Sequence, residues 1–166
     1  MSRPGPVQII GQPGSGKTTL VGALVRHFSD QGLAVGTLKH SSHDHELDKP
    51  GKDSHVHRTA GASPAAMVTS KMAALYFPAS EQTRPDIMIE KYYGHAGIIL
   101  IEGWISGPYP KIEIWRKAIG RPPLFPDLPT VRAVVSDDLP PDPGNLPVLS
   151  LEPVAEIAAF IQNLIK

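Results

Sequence analysis

A glycine-rich segment near the start of the chain limits its possible folds more than any other feature. Residues 11–18 read GQPGSGKT, which satisfies the pattern G-x-x-x-x-G-K-[ST] in full. A short apolar run at residues 7–10 precedes this segment, and apolar residues at helical spacing follow it from Lys17 until Gly32. A strand, a glycine-rich turn and a helix in this order predict a phosphate-binding loop, or P-loop. The alternative is a glycine-rich turn with a surface lysine.

Each chemical group of the P-loop has an expected role. The glycines permit backbone angles that point successive N–H groups at phosphate oxygens, and the following helix places the positive end of its dipole there. Lys17 is expected to reach the β- and γ-phosphates of a nucleotide, and the Thr18 hydroxyl is expected to coordinate Mg²⁺. The segment therefore predicts a site for a nucleoside triphosphate.

Apolar runs further along the chain predict the rest of the fold. Residues 98–101 (IILI) predict a strand buried on both faces, as in a parallel sheet covered by helices. Residues 34–38 predict a strand parallel to the first one, because a helix connects the two. Further strands are predicted at 112–115, 131–135 and 148–149, a hairpin at 65–69 and 73–77, and helices from an N-cap at Ser54, over 80–92 and over 154–165. The expected fold is α/β, a single P-loop domain over residues 1–166 with a mainly parallel sheet flanked by helices.

An acidic residue ends the most hydrophobic predicted strand. Glu102 follows residues 98–101 directly, and Gly103 comes next. Open α/β sheets bind ligands at the carboxyl ends of their strands, so Glu102 is expected to contact Mg²⁺ directly or through water. Gly103 is expected to let the chain turn beneath the γ-phosphate. The alternative for Glu102 is a charge that merely ends a strand.

The segment at residues 39–58 is polar and rich in histidine, and its length is typical of a functional or disordered connection. Imidazole suits Zn²⁺ and Ni²⁺, so a transition-metal site is one interpretation. A solvated loop, or a role beside a phosphate and Mg²⁺, is the other. The histidines of the segment are His40, His43, His45, His55 and His57.

The nucleotide base is less clearly indicated. The pattern Asn-Lys-x-Asp, common in guanine-specific P-loop proteins, is absent from the sequence. Asp137 follows a predicted late strand, where a carboxylate could accept hydrogen bonds from guanine N1–H and the 2-amino group. A role in a turn or as a helix cap is the alternative for this residue.

Composition excludes several classes of function. Sixteen Lys and Arg residues balance sixteen Asp and Glu residues, so neither nucleic acid nor an anionic membrane is an expected partner. The absence of cysteine excludes disulfides, thiolate nucleophiles and cysteine-bound metal clusters. No secretory signal and no run of eighteen apolar residues is recognisable, so a cytoplasmic protein is expected.

Several of these segments together resemble the MobB family of molybdopterin-guanine dinucleotide biosynthesis. The P-loop is common to many families, whereas the run DKPGKDS at residues 48–54 is much more specific. The similarity also includes Lys39-His40, His43-Asp44, Arg58, residues 60–62, residues 99–103, Lys111-Ile112, Arg116 and residues 135–137, so it spans nearly the whole chain.

The resemblance implies a homodimeric protein that binds GTP and Mg²⁺ and hydrolyses GTP weakly. It also implies a helper role beside the MobA guanylyltransferase, which joins GMP to molybdopterin. Residues implied to bind the nucleotide and Mg²⁺ are Gly11, Gln12, Gly14, Ser15, Gly16, Lys17, Thr18, Thr19, Glu102 and Gly103. Residues implied to border the γ-phosphate or the pterin-bearing partner are Lys39, Asp44, Asp48, Lys49, Lys52 and Asp53.

The sequence departs from the MobB family pattern in two ways, and two other functions remain as alternatives. The family pattern has histidine at one or both of the positions of Ser41 and Ser42, and three histidines of this chain lie outside its common core, which counts against a required metal site. One alternative is a small-molecule kinase in which Asp44 or Glu102 activates a substrate hydroxyl. The other is a nickel-chaperone GTPase that uses the histidine-rich segment.

Overall fold

The computed structural model describes residues 5–165. The strands are β1 (Pro6–Gly11), β2 (Val35–Lys39), β3 (Ala65–Val68), β4 (Ala73–Tyr76), β5 (Ile98–Glu102), β6 (Lys111–Ile114), β7 (Val131–Val135) and β8 (Val148–Leu149). The α-helices are α1 (Lys17–Asp30), α2 (Asp53–Thr59), α3 (Pro85–Tyr92) and α4 (Val154–Leu164), and short 3₁₀ helices span Glu81–Thr83, Lys117–Ile119 and Phe125–Asp127.

The chain forms two compact units. One contains the described residues up to Ser41 and from Tyr92 onward, and the other spans Ser42–Lys91. The prediction of one domain over residues 1–166 stays a prediction. No helix among residues 5–165 has the length and apolar character needed to span a membrane.

A parallel sheet forms the centre of the larger unit. Within residues 5–165 its order is β2-β5-β1-β6-β7-β8, and each neighbouring pair is parallel. Strands β1 and β5 are buried along their whole length, which explains why their sequences do not alternate between apolar and polar residues. The α/β fold with a mainly parallel sheet flanked by helices, predicted from the sequence, is confirmed.

Helices α1 and α4 cover one face of the sheet. Leu24 and Phe28 of α1 and Ile161 of α4 are completely buried in the same cluster as alternate residues of β1, β5 and β6. Burying each such side chain contributes about 1.5–3 kcal/mol. Because α1 is anchored in this way, its first turn lies at the carboxyl edge of the sheet, immediately after the P-loop.

Two predicted helices differ from the structure. The helix predicted over residues 80–92 is divided into the 3₁₀ helix Glu81–Thr83 and α3, which begins at Pro85. Proline lacks a backbone N–H and disfavours helical angles in the residue before it, so it starts a helix more readily than it continues one. The predicted N-cap at Ser54 is wrong, because Lys52 is the N-cap and Ser54 lies buried within α2.

The smaller unit contains the predicted hairpin. Strands β3 and β4 pair antiparallel, from Ala65 opposite Tyr76 to Val68 opposite Ala73, and α2 contacts β3. The hairpin prediction is confirmed. Several large apolar side chains of this unit are more than half exposed: Leu47, Val56, Met67, Val68 and Met72.

Candidate functional site

The P-loop has the backbone geometry that its glycines were expected to provide. Gly16 has a φ of 98°, a left-handed angle that side chains disfavour. At Gly11 the chain passes so close to β6 that a Cβ atom would lie 2.4 Å from the Ile114 carbonyl oxygen. Glycine at these two positions is therefore a requirement of the loop shape and of its packing against the sheet.

Lys17 folds back over the P-loop. Its Nζ atom donates hydrogen bonds to the carbonyl oxygens of Gly11 and Gln12, both at 2.9 Å. Partial burial lowers the pKa of Lys17, and the negative charge of Glu102 opposes that shift. The ammonium group is thus held at the mouth of the loop by neutral acceptors, which an anionic phosphate could replace.

The P-loop also contains an unsatisfied polar group. Ser15 is 1% exposed, and its Oγ atom has no hydrogen-bond partner among residues 5–165. Buried hydroxyl groups are normally paired, so an unpaired one inside a loop of this shape requires an explanation. A phosphate oxygen is an acceptor that could satisfy it, so the residues present fit a phosphate group.

Three side chains from different elements meet at one carboxylate oxygen. Thr18 Oγ1 donates a hydrogen bond of 2.9 Å to Glu102 Oε1, and Lys39 Nζ lies 3.1 Å from the same oxygen. The sheet order explains this meeting, because β2 and β5 pair with Lys39 directly opposite Glu102. Hydroxyl and carboxylate oxygens are the ligands that Mg²⁺ prefers, so the pair of Thr18 and Glu102 fits this ion.

The turn after β5 is equally constrained. Gly103 has a φ of 83°, and a Cβ atom there would lie 2.7 Å from the carbonyl oxygen of His40. The Gly103 N–H donates to the Ile9 carbonyl at 2.9 Å. The residue therefore turns the chain where β1, β2 and β5 end together, as expected from its place after Glu102.

A segment after β6 contacts the P-loop, and sequence reasoning assigned little of it. Arg116 Nε donates a hydrogen bond of 3.0 Å to the Ser15 carbonyl, and Gln12 Nε2 donates one of 3.2 Å to the Pro122 carbonyl. Because β5 and β6 flank β1 on its two edges, this segment borders the loop on the β6 edge, and Glu102 lies at the β5 edge.

Glu113 holds this segment and was missed by the sequence analysis. Its carboxylate is completely buried in β6 and accepts hydrogen bonds from the N–H groups of Leu124 and Phe125, at 2.7 and 2.8 Å. Burial raises the pKa of Glu113, and these two hydrogen bonds oppose the shift. A charged residue within an otherwise apolar strand was the available signal, because such a residue needs internal partners.

Asp137 lies two residues after the end of β7, next to the end of β8. Its Oδ1 atom accepts hydrogen bonds of 3.1 Å from Ser150 Oγ and from the Leu151 N–H. The carboxylate is exposed and held in one orientation by the neighbouring strand end. Both the turn role and the base-contact role fit this arrangement, so guanine recognition by Asp137 stays a prediction.

Gly14, with a φ of 79°, and Thr19, in the first turn of α1, lie with the P-loop in the larger unit, and the remaining predicted nucleotide-site residues lie in the smaller unit. Asp48 is buried, and its Oδ1 atom accepts hydrogen bonds from the Lys49 N–H at 2.8 Å and from Ser54 Oγ at 3.1 Å. These bonds shape the DKPGKDS turn. The side chains of Asp44, Lys49, Lys52 and Asp53 are exposed. Their placement at the phosphate site stays a prediction.

The histidine-rich segment shows no metal-binding arrangement. Throughout residues 5–165, no three or more His, Asp or Glu side chains lie together in a way that could hold a metal ion. Glu46, a candidate ligand in the transition-metal interpretation of this segment, instead forms an ion pair with Arg58, and its carboxylate also lies 3.8 Å from His55. The hydrogen bond from Arg58 lowers the pKa of Glu46. The nickel-chaperone alternative gains no support.

Comparison with known proteins identifies the family. The family model MobB, "Molybdopterin guanine dinucleotide synthesis protein B", matches residues 7–137. A protein of Escherichia coli K12 named "Molybdopterin-guanine dinucleotide biosynthesis adapter protein" is 32% identical over 155 residues, covering 89% of this chain and 86% of that protein. A Haemophilus influenzae protein of the same name is 28% identical, covering 93% of this chain and 86% of its own. The crystal structure of Bacillus subtilis MobB superposes with a TM-score of 0.77 at 27% identity, covering 98% of each chain. This chain therefore belongs to the MobB family.

Proposed function

We propose that this MobB protein, an adapter of molybdopterin guanine dinucleotide biosynthesis, performs its role by binding GTP together with Mg²⁺. The observation that carries the proposal is the convergence of Thr18 and Lys39 on Glu102 Oε1, beside the P-loop. A neutral hydroxyl, a carboxylate and an ammonium group within hydrogen-bond reach match a metal-bound triphosphate. Bound Mg²⁺ would neutralise phosphate charge, and Thr18 and Glu102 are the residues that would hold it.

Slow hydrolysis of GTP is part of the proposal. Catalysis of phosphoryl transfer usually needs a side chain that orients water and a cation that stabilises the transferred phosphate. Gln12, the glutamine of the P-loop, donates its amide to Pro122, and the Nε of Arg116 is bonded to the Ser15 carbonyl. With both groups engaged in holding the loop, binding rather than turnover is the main expected activity.

A direct titration tests the nucleotide. GTP and ATP are each titrated into the protein, once with Mg²⁺ and once with EDTA, and calorimetry measures their binding. Saturable binding of GTP that is tighter than that of ATP and depends on Mg²⁺ is expected. Equal affinities for the two nucleotides would reject the guanine preference, and no binding of either would reject the site.

We predict that Asp137→Asn changes the preferred base. A carboxylate accepts hydrogen bonds from guanine N1–H and its 2-amino group, whereas an amide presents a donor that matches the 2-oxo group of xanthine. GTP affinity is expected to fall at least about tenfold, with a gain in affinity for xanthosine triphosphate, because each such bond is worth about 1–2 kcal/mol. Calorimetry with both nucleotides measures the change. Asp138→Asn is the matched control, and the same change in both variants would contradict the assignment of Asp137.

The proposed partner is a MobA-type guanylyltransferase that carries molybdopterin or its guanine dinucleotide. The relatives' name, adapter protein, supports a role exercised through another protein. A pull-down with the guanylyltransferase, with GTP and without nucleotide, tests this. Retention that increases with GTP is expected, and no retention under either condition would reject the partnership.

We also propose a homodimer formed through the β3–β4 hairpin. The side chains of Val68 and Met72 are 77% and 75% exposed, and an isolated two-stranded hairpin is only marginally stable. Met72→Glu is expected to weaken dimer association at least about tenfold in sedimentation equilibrium, because it places a charge in an apolar interface. Lys71→Glu introduces the same carboxylate at the adjacent polar residue and is expected to cause a smaller change. A dimer of unaltered strength in Met72→Glu would place the interface elsewhere.

A further inference from the structure

Trp104 has an unusual backbone conformation at the edge of the candidate nucleotide site. It lies two residues after Glu102 and has a φ of 58°. Bulky side chains rarely adopt this left-handed angle, and residues held there are concentrated at binding and catalytic sites. The preceding residue, Gly103, is also left-handed, so the chain reverses sharply and presents the indole beside the end of β5.

Independent contacts hold the indole in place. The carbonyl oxygen of Trp104 accepts hydrogen bonds from the buried Gln8 side chain and from the Gly107 N–H, the latter at 2.8 Å. The backbone of Gly107 packs directly on the indole, because a Cβ atom there would lie 2.6 Å from Trp104 Cδ2. The Tyr109 ring contacts the indole edge-on, with centroids 5.9 Å apart. One side of the indole is therefore supported by the protein.

His40 lies on another side of the indole. The two ring centroids are 6.1 Å apart and the planes differ by 34°. His40 is exposed and follows Lys39, the last residue of β2. A planar molecule stacked between two rings needs about 7 Å between them, twice the usual contact distance of about 3.5 Å. Moving the His40 ring about 1 Å away and rotating it parallel to the indole would admit such a molecule.

We propose that Trp104 and His40 form a stacking site for the pterin ring of a pterin phosphate, with Lys39 beside them to attract the phosphate. The identity of the ring rests on the proposed function, since the family acts in molybdopterin chemistry. Pterin and guanine share a planar, fused ring system with a 2-amino-4-oxo edge, so either could stack on an indole. The Lys39 side chain pairs with Glu102 Oε1 and is still 66% exposed, which leaves it accessible to an anion near the rings.

Tryptophan fluorescence tests this site because the chain contains two tryptophans. Trp115→Phe removes the buried indole that donates to the Arg121 carbonyl and leaves Trp104 as the reporter. Addition of neopterin monophosphate is expected to quench the Trp104 fluorescence of this variant until the site is saturated. Trp104→Leu, which retains only Trp115, is expected to show no saturable quenching and an affinity at least about tenfold weaker by calorimetry. Equal affinity in the two variants would overturn the proposal.

Two further measurements separate the pterin site from the nucleotide site. Lys17→Ala is expected to lose GTP binding and to keep pterin binding, because Trp104 and His40 do not depend on the P-loop ammonium group. Normal GTP binding without any quenching by neopterin monophosphate would overturn this inference and leave the proposed function standing. Displacement of the pterin by an equimolar amount of guanosine monophosphate would overturn the pterin assignment and identify a guanine-stacking site.

Discussion

Replacing Lys17 with alanine is expected to lower GTP affinity about 100-fold, because a charge-assisted contact to phosphate contributes up to about 3 kcal/mol. The fold should be retained. Lys17 Nζ bonds only to the carbonyls of Gly11 and Gln12 within residues 5–165, and alanine is readily accommodated in a helix such as α1. Burial already lowers the pKa of this lysine, so its removal also relieves a desolvation cost.

Calorimetry and thermal unfolding together measure this effect. Lys71→Ala, at an exposed position of the hairpin unit, is the matched control and is expected to bind GTP as the unaltered protein does. Unchanged GTP affinity in Lys17→Ala would reject the phosphate site. A large drop in melting temperature would instead assign Lys17 a structural role.

Replacing Gly11 with alanine is expected to lower the free energy of unfolding by about 3 kcal/mol, the combined effect of overpacking and backbone strain. The new Cβ atom would lie 2.4 Å from the Ile114 carbonyl and 2.7 Å from Ser15 Oγ. The carbonyl belongs to β6, which pairs with β1 at this point, so the strands must separate or the P-loop must change shape. Nucleotide affinity is expected to fall with stability.

The helical glycine Gly22 provides the control for this experiment. A Cβ atom there has no contact within 4 Å, so Gly22→Ala is expected to stabilise the protein by about 0.5–1 kcal/mol through helix propensity. Chemical denaturation measures both variants. Equal stability of Gly11→Ala and the unaltered protein would contradict the close approach of β1 and β6.

Local patterns predicted most of the elements. The runs at residues 7–10 and 98–101 are apolar throughout because their strands are buried on both faces, and the structure places them as neighbours in the sheet. The P-loop after β1 could be predicted because its glycines supply backbone angles that no other residue adopts readily. The error at residues 80–92 arose where one proline outweighed a periodic apolar pattern.

The hydrogen-bond partners of buried charged side chains could not be predicted from the sequence. Lys111 is an example: it is 1% exposed within β6, and its ammonium group donates to the Gly107 carbonyl at 2.6 Å and to Thr130 Oγ1 at 2.8 Å. Nothing in the run KIEI indicates these partners. The same holds for Glu113, whose buried carboxylate accepts hydrogen bonds from two N–H groups eleven and twelve residues further along the chain.

The sequence by itself determined the parallel sheet, the glycine-rich loop and the helix that begins with Lys17 and Thr18, since these depend on short-range periodicity and backbone freedom. Only the tertiary structure decided which strand ends lie together. The order β2-β5-β1 brings Lys39 and Thr18 to Glu102, and the neighbours β7 and β8 bring Ser150 to Asp137. Strand order is set by the packing of the whole core, and no local segment encodes it.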